Sequence, residues 1–266
     1  MILIYEYKGA LKMPKDKFNL IADAHTHTTA STHAYSTLQE MVHAAAEKKL
    51  YAIAITDHAH DMPGAPGDWY FENLRVVPHI LEGVLVLRGQ ETNILDLEGH
   101  IDLTDKEAES LDWIVASIHR PVVEGKIASG ADVTDVWLSV AKNPRVNVIG
   151  HSGTADYPYD YETVVPEFGR EGKLVELNES SFYNRKSSIQ NCVEIMKSCK
   201  KHGVPIIVDS DAHFSSMVGN FTHSRQLLRE INFPPELVVN SSVSRFQDYL
   251  KKYSRVFQDS ALEQVQ

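Results

Sequence analysis

The chain alternates short apolar segments with amphipathic helical patterns, and this alternation limits its fold more than any other feature. The helical patterns cover residues 36–49, 71–81, 133–141, 161–171 and 189–202. The apolar segments have the length of buried strands and cover residues 18–22, 51–55, 84–87, 113–118, 146–149, 174–177 and 205–208. Such alternation predicts parallel βα units, arranged either as a barrel or as an open doubly wound sheet.

The residues that follow these segments favour the barrel. Six of the seven predicted strands lead into His, Asp or Glu. A barrel brings the carboxyl ends of all its strands to one mouth, whereas an open sheet concentrates functional groups at one switch point. We therefore expect a closed or nearly closed α/β barrel. We also expect a single domain, because no repeat or Gly/Pro/Ser-rich linker divides the chain.

The composition predicts a soluble cytoplasmic protein and argues against a surface built to coat nucleic acid. The 266 residues carry a net charge of -10 at pH 7, which disfavours nucleic-acid binding because phosphate neutralisation relies on clustered Lys and Arg. No apolar run approaches the roughly 20 residues of a membrane span, and no secretory signal is evident at the start. Cys192 and Cys199 are too far apart in one predicted helix to form a disulfide, which predicts reduced thiols.

Histidines are concentrated at the predicted strand ends. The first pair lies in Asp23-Ala24-His25-Thr26-His27, where the spacing puts both imidazoles on one face of an extended strand. In all, seven of the 13 histidines lie at or just after strand ends: His25, His27, His33, His58, His119, His151 and His213. Together with Glu91 and Asp211 they predict a metal site, and imidazole with carboxylate suits Zn, Mn or Fe. Nine ligands exceed the needs of one ion, so we expect more than one metal, with Glu91 able to bridge two.

Five other histidines are predicted to bind no metal. His43, His79 and His202 fall in predicted helices, and His100 and His223 in predicted loops.

The first helical pattern also carries a predicted capping box, with Ser36 at the N-cap and Gln39 three residues later.

The motifs together resemble the PHP (polymerase and histidinol phosphatase) family. The resemblance covers about residues 18–250 and rests on residues 23–27, 31–37, 56–58, 88–91 and 210–213 with His119 and His151. Within the family, the segments 30–37 and 178–182 and the pair Arg185-Lys186 are similar to YcdX-type phosphatases. The resemblance implies a distorted (β/α)7 TIM-like barrel over residues 18–255, preceded by an arm (1–17) and followed by a tail (256–266). It also implies a trinuclear site, usually of zinc, and in many members a homotrimer.

The resemblance also implies how the ligands are divided among three ions. His25, His27 and Asp211 would bind the first ion, and Glu91 would bridge it to the second. His119 and His151 would complete the second ion, and His33, His58 and His213 would hold the third. Asp23 and Asp57 would orient imidazoles or nearby backbone, a support that metal-bound histidines usually require.

Such a centre predicts hydrolysis of phosphate esters on small phosphorylated substrates. Divalent ions supply hydroxide at neutral pH and stabilise an in-line displacement, with Glu91 and Asp211 as bridging or water-positioning ligands. A third ion suits the extra charge of a terminal phosphate and favours monoesters. His60, Arg120, Arg185 and Lys186 are candidate substrate-binding residues. The alternatives are a histidinol phosphatase, a phosphodiesterase or exonuclease of the same family, and an inactive metal-binding structural or regulatory module.

Overall fold

The computed structural model describes residues 17–258. The predicted arm (1–17) lies outside the described residues except for Lys17, and the predicted tail (256–266) lies outside them beyond residue 258. Seven parallel strands form one continuous path in the order β1 (Ala22–Thr26), β2 (Ala52–Ile55), β4 (Val84–Asn93), β5 (Trp113–Ser117), β6 (Val148–Ile149), β7 (Leu174–Asn178) and β8 (Ile206–Asp209). A short strand, β3 (Ile80–Leu81), pairs with β4 in the antiparallel direction.

The strand path returns on itself, so the sheet forms a nearly closed barrel. Thr26, at the end of β1, makes a parallel bridge with Ala212, just beyond β8. Two backbone hydrogen bonds support this closure, from His27 N to Ala212 O at 2.9 Å and from Asp211 N to His25 O at 3.0 Å. The predicted single-domain α/β barrel of seven parallel strands is confirmed.

Ten α-helices connect or flank these strands within residues 17–258. They are α1 (Leu38–Glu47), α2 (Asp68–Asn73), α3 (Asp105–Ser110), α4 (Arg120–Val123), α5 (Thr134–Ala141), α6 (Tyr161–Arg170), α7 (Ser181–Asn184), α8 (Ile189–His202), α9 (Thr222–Glu230) and α10 (Val243–Tyr253). None of these helices is long and apolar enough to cross a membrane. Cys192 and Cys199 are buried free thiols on α8.

Two helix predictions need correction. The capping box of α1 is formed by Thr37 and Glu40, one residue later than predicted; Ser36 Oγ instead accepts a hydrogen bond from Ser215 N at 3.0 Å. The predicted helix over 71–81 is wrong as one element. It divides into α2, a 3₁₀ turn (Leu74–Val76) and β3, because the chain must reverse to pair β3 with β4.

The barrel interior is apolar below its mouth. Ala22, Ala24, Ala52 and Ala54 leave room on one side for larger side chains from the other strands, above all Trp113. The Trp113 indole donates across the barrel to Ala24 O at 2.9 Å. Phe246, Tyr249 and Leu250 of α10 pack into the same cluster, so α10 covers one end of the barrel and the polar strand ends line the other.

Candidate metal centre

The nine predicted ligands converge at the mouth of the barrel around Glu91. Its Oε1 lies 2.9 Å from His151 Nε2, 3.2 Å from His119 Nε2 and 3.4 Å from His25 Nε2. Its Oε2 lies 2.8 Å from His58 Nδ1 and 3.5 Å from His27 Nε2. One carboxylate therefore contacts five imidazoles, which come from the ends of four different strands or the loops that follow them.

The remaining ligands lie beside Asp211. Its Oδ1 is 3.2 Å from His27 Nε2 and 3.5 Å from His213 Nδ1. The His33 ring stacks on His213 at a centroid distance of 4.6 Å, and His33 Nε2 lies 3.3 Å from His58 Nε2. His33 is the most exposed member and lies at the rim, whereas His25 and His27 are fully buried.

Local backbone geometry aims several of these side chains. The pairing of β1 with β2 changes register between Asp23 and Thr26, and such irregularities re-aim side chains next to functional sites. His151 and Asp211 have positive φ angles of 24° and 55°, a conformation that is uncommon for residues other than glycine and concentrates at functional sites. The strain lies at two of the strand ends that carry proposed ligands.

The donor set fits divalent metal ions. Three combinations of these side chains bring one ligand atom each to within 4.8 Å of one another: His27 with His58 and His213, His25 with His27 and Glu91, and His58 with Glu91 and His119. The Nε2 atoms of His25 and His213 are buried without a hydrogen-bond partner in the described chain. Buried nitrogens of this kind are costly unless a ligand satisfies them, and imidazole with carboxylate is typical of zinc and related ions.

The electrostatics of the cluster divide its histidines into two kinds. Burial opposes charging of His25, but the negative charges of Glu176, Glu91 and Asp211 raise its pKa well above the usual value. Burial and the neighbouring His58 and His213 lower the pKa of His33 to about 4. The same causes lower the pKa of His27, so both His27 and His33 are neutral near pH 7, the form that binds metals.

Sequence reasoning missed Glu176, which supports two of the predicted ligands. Its Oε1 accepts from His25 Nδ1 at 2.7 Å, and its Oε2 accepts from the backbone N of His151 at 2.6 Å. The acidic residue within the apolar segment 174–177 was the available signal, because a buried carboxylate in a strand needs a partner. Hydrogen bonding of this kind fixes the tautomer and orientation of a metal-binding imidazole.

A second missed pair supports His119. Asn93 Oδ1 accepts from His119 Nδ1 at 2.7 Å, and Asn93 Nδ2 donates to Asp102 Oδ2 at 2.6 Å. Asn93 ends β4, two residues beyond Glu91, so the strand end that carries the central carboxylate also orients His119. Asp102 lies in the following loop, and no local pattern connects it to His119.

Asp57 positions the loop that follows β1. Its Oδ1 accepts from Thr28 N and from Ser31 Oγ, both at 2.7 Å. Ser31 Oγ lies 3.3 Å from His27 Nδ1 and therefore connects Asp57 to a predicted ligand. The Tyr70 hydroxyl of α2 donates to the other oxygen of Asp57 at 2.6 Å.

Asp23 positions backbone rather than an imidazole. It accepts from Ser210 N at 2.9 Å, Ser210 Oγ at 2.6 Å and Gly219 N at 2.7 Å, and it thereby orients the segment that carries Asp211. Burial raises its pKa to about 6 despite these hydrogen bonds.

The structure separates the four predicted substrate-binding residues. Arg185 reaches the centre, with Nη2 3.1 Å from Asp211 Oδ2 and about a quarter of its side chain exposed. Lys186 and Arg120 are exposed, on the 3₁₀ turn after α7 and at the start of α4. His60 Nδ1 lies 3.6 Å from carboxylates of Asp68 and Glu107 rather than beside Glu91. Their contacts with substrate stay predictions.

The five histidines predicted not to bind metal have contacts outside the Glu91 cluster. Their partners are Glu82 for His43, Val86 O for His79, Asp96 for His100, Glu162 for His202 and Glu179 for His223. The loop assignment of His223 is wrong, because it lies in the first turn of α9. Glu179, the residue after β7, accepts from His223 N and Ser224 N and so caps α9 from a distant part of the chain.

Comparison with known proteins supports the assignment. Residues 23–180, more than half of the chain, match the family model described as the PHP domain. The chain belongs to the PHP family. The PHP match ends before Asp211 and His213, which the fold nevertheless places beside the histidines of the matched segment.

PHP relatives of similar length are named as phosphatases. A probable phosphatase of Acetivibrio thermocellus is 44% identical over 87% of this chain and 95% of its own length. A probable phosphatase of Caldicellulosiruptor saccharolyticus is 43% identical, covering 89% and 98% respectively. The histidinol phosphate phosphatase of Lactococcus lactis, solved with zinc, L-histidinol and phosphate, shares the fold at a TM-score of 0.53 and 16% identity, over 80% of this chain and 94% of that one.

Proposed function

We propose that this PHP protein is a metal-dependent phosphatase that hydrolyses small phosphomonoesters at a trinuclear centre. The observation that carries the proposal is the convergence of seven imidazoles on Glu91 and Asp211 at the barrel mouth. The phosphatase names of its relatives support the reaction class. The buried free thiols accord with a cytoplasmic location.

The side chains present would hold three divalent ions, with zinc favoured and manganese or iron as alternatives. Bound ions supply a hydroxide nucleophile at neutral pH and offset charge on phosphoryl oxygens. Glu91 contacts histidines on both sides and is suited to bridge two ions. Asp211 holds His27 and Arg185 in place, and neutral His33 lies at the rim beside His58 and His213. Three ions would outweigh the two carboxylates, so the mouth would attract an anion.

Arg185 is the residue best placed to bind a substrate phosphate. Its guanidinium contacts Asp211, remains partly exposed and presents the fork geometry that suits phosphate oxygens. Arg185→Gln should raise KM for a monoester while metal content stays unchanged. Lys186→Gln is the matched comparison, since Lys186 is the next residue along the chain and its side chain is exposed. Equal effects of both variants would show that a general basic patch, rather than Arg185, attracts the substrate.

The reaction is tested by comparing an aryl phosphomonoester with the matching diester before and after chelation. We expect the monoester to be hydrolysed faster, activity to disappear with chelator, and zinc to restore it. Unchanged activity after complete removal of metal would contradict the proposal.

A wider panel of substrates would distinguish the proposed function from three alternatives. Rapid turnover of histidinol phosphate would favour a histidinol phosphatase. This substrate belongs in the panel because the Lactococcus lactis protein that shares the fold was solved with zinc, L-histidinol and phosphate. Degradation of oligonucleotides would favour an exonuclease, against which the net charge of -10 argues. Bound metal without turnover of any phosphoester would indicate a structural or regulatory module.

A further inference from the structure

A second group of potential metal ligands lies outside the mouth, between α2, α3 and the loop after β2. His60 Nδ1 is 3.6 Å from Asp68 Oδ1 and 3.6 Å from Glu107 Oε1. One ligand atom from each residue lies within 4.8 Å of the others. Although His60 is only two residues beyond His58, its Nδ1 faces this group, whereas His58 contacts Glu91.

The buried atoms of this group are left without hydrogen bonds. Glu107 is completely buried, and its Oε1 has no hydrogen-bond partner in the described chain. His60 Nδ1 is likewise buried and without one. A buried carboxylate oxygen without a donor is costly, and separations of 3.6 Å are too long for a direct hydrogen bond between His60 and either carboxylate.

The other oxygen of Glu107 already has a structural role. Oε2 accepts from Thr104 N and Thr104 Oγ1, both at 2.9 Å, and completes the capping box of α3. That role fixes the carboxylate in place and leaves Oε1 directed at His60. Asp68 is the first residue of α2 and is more than half exposed, so an ion can reach the group from solvent.

We propose that His60, Asp68 and Glu107 form an additional binding site for a divalent transition-metal ion, separate from the nine residues at the mouth. One imidazole nitrogen and two carboxylate oxygens suit Zn²⁺ or Mn²⁺. The ion would satisfy the buried oxygen of Glu107 and the buried nitrogen of His60 together. The proposal does not depend on phosphatase activity.

Such an ion would fasten α2 to α3 near the mouth. Lys106 of α3 and Glu72 of α2 already form an ion pair at 2.6 Å. On α2, the Tyr70 hydroxyl donates to Asp57, the residue that orients the loop after β1. The ion would therefore stabilise the outer support of this loop without contacting substrate.

The first experiment locates the ion directly. Crystals of the full chain grown with Zn²⁺ should give an anomalous difference peak about 2.0–2.2 Å from His60 Nδ1 and from oxygens of Asp68 and Glu107. A peak beside Asp61 and Asp102 instead, or a direct hydrogen bond between His60 and Glu107 with no peak, would overturn the assignment.

The second experiment counts metal in solution. His60→Gln and Asp68→Asn should each lose one zinc equivalent by elemental analysis after equilibration at micromolar zinc. His100→Gln, which alters an exposed histidine paired with Asp96, should lose none. Both test residues are at least partly exposed, so folding should be retained, and circular dichroism checks it. Equal zinc content in all three variants and the wild type would refute the site, whether or not the mouth is catalytically active.

Discussion

At the residue scale, the mouth depends on buried carboxylates that accept hydrogen bonds from its histidines and from nearby backbone. Glu176 accepts from His25 Nδ1 and from the backbone of His151, and thereby joins two of the proposed ligands. Its acidic neighbour Asp209 accepts from Ala24 N; burial and then the charge of Glu176 raise the pKa of Asp209 well above its usual value. The layer below the imidazoles therefore combines one carboxyl group whose charged form is disfavoured with another that holds an imidazole.

The charge of Glu176 should strengthen metal binding through His25. Glu176→Gln keeps an oxygen of similar position but removes the negative charge, so we expect metal affinity to fall by about tenfold or more. Competition with a chromophoric chelator measures the change. The control is Glu194→Gln, because Glu194 pairs with Lys197 on the exposed surface of α8. Equal metal affinities for the Glu176 variant and the wild type would show that the charge of Glu176 does not affect metal binding.

His43 offers a separate test of the electrostatics, away from the mouth. Its hydrogen bond with Glu82, at 2.8 Å, raises its pKa, and the charges of Glu82 and Glu47 add to the effect. The pair should stabilise the fold below pH 6.5, and this stabilisation should be lost as pH rises through the elevated pKa. An NMR titration should show a lower pKa for His43 in Glu82→Gln. A smaller decrease is expected in Glu47→Gln, and no change in either variant would contradict the assignment.

The sequence reveals proposed ligands more readily than their supports. His25, His58 and His119 follow apolar segments, so their position at strand ends is visible along the chain. Asp102 supports His119 only through Asn93, and this contact depends on a loop conformation that no local pattern encodes. Glu176 was visible as a charge within a strand, but its partners lie on β1 and after β6.

At the element scale, local propensity placed α1 to within two residues at either end but gave it the wrong N-cap. Ser36 and Gln39 satisfy the spacing of a capping box as well as Thr37 and Glu40 do. Tertiary structure decides between them, because Ser36 is buried and its hydroxyl accepts from Ser215. The same dependence on distant contacts explains the helix predicted over 71–81, where pairing with β4 imposes β3. The long amphipathic helix α8, by contrast, begins and ends as predicted.

Replacing Thr37 should weaken the start of α1. Thr37 Oγ1 accepts from Glu40 N, and Thr37→Ala should lower the free energy of unfolding by about 1 kcal/mol. Urea denaturation measures this difference. Gln39→Ala is the matched control, since Gln39 is exposed and does not form the observed box. A greater loss in Gln39→Ala than in Thr37→Ala would contradict the observed cap.

At the scale of the whole molecule, the barrel separates its stabilising core from its reactive end. Trp113, Phe246 and Leu250 close one end with apolar contacts. The other end buries imidazoles and carboxylates. Their burial is costly in free energy unless each group has a hydrogen-bond, ionic or metal partner. The homotrimer that the family resemblance implies stays a prediction, and light scattering tests it against the 29.9 kDa mass of one chain.

Removal of metal should lower the stability of the whole barrel. An ion that binds only the folded chain adds about 2.7 kcal/mol when its concentration is 100 times its Kd, so chelation should shift urea unfolding to lower concentrations. His27→Ala should reduce this shift, because His27 lies beside both Glu91 and Asp211. His43→Ala should leave it unchanged, because His43 contacts Glu82 and Glu47 on the surface. Identical unfolding curves with and without chelator would mean that the mouth is stable through its own hydrogen bonds. Its histidines would then need another explanation.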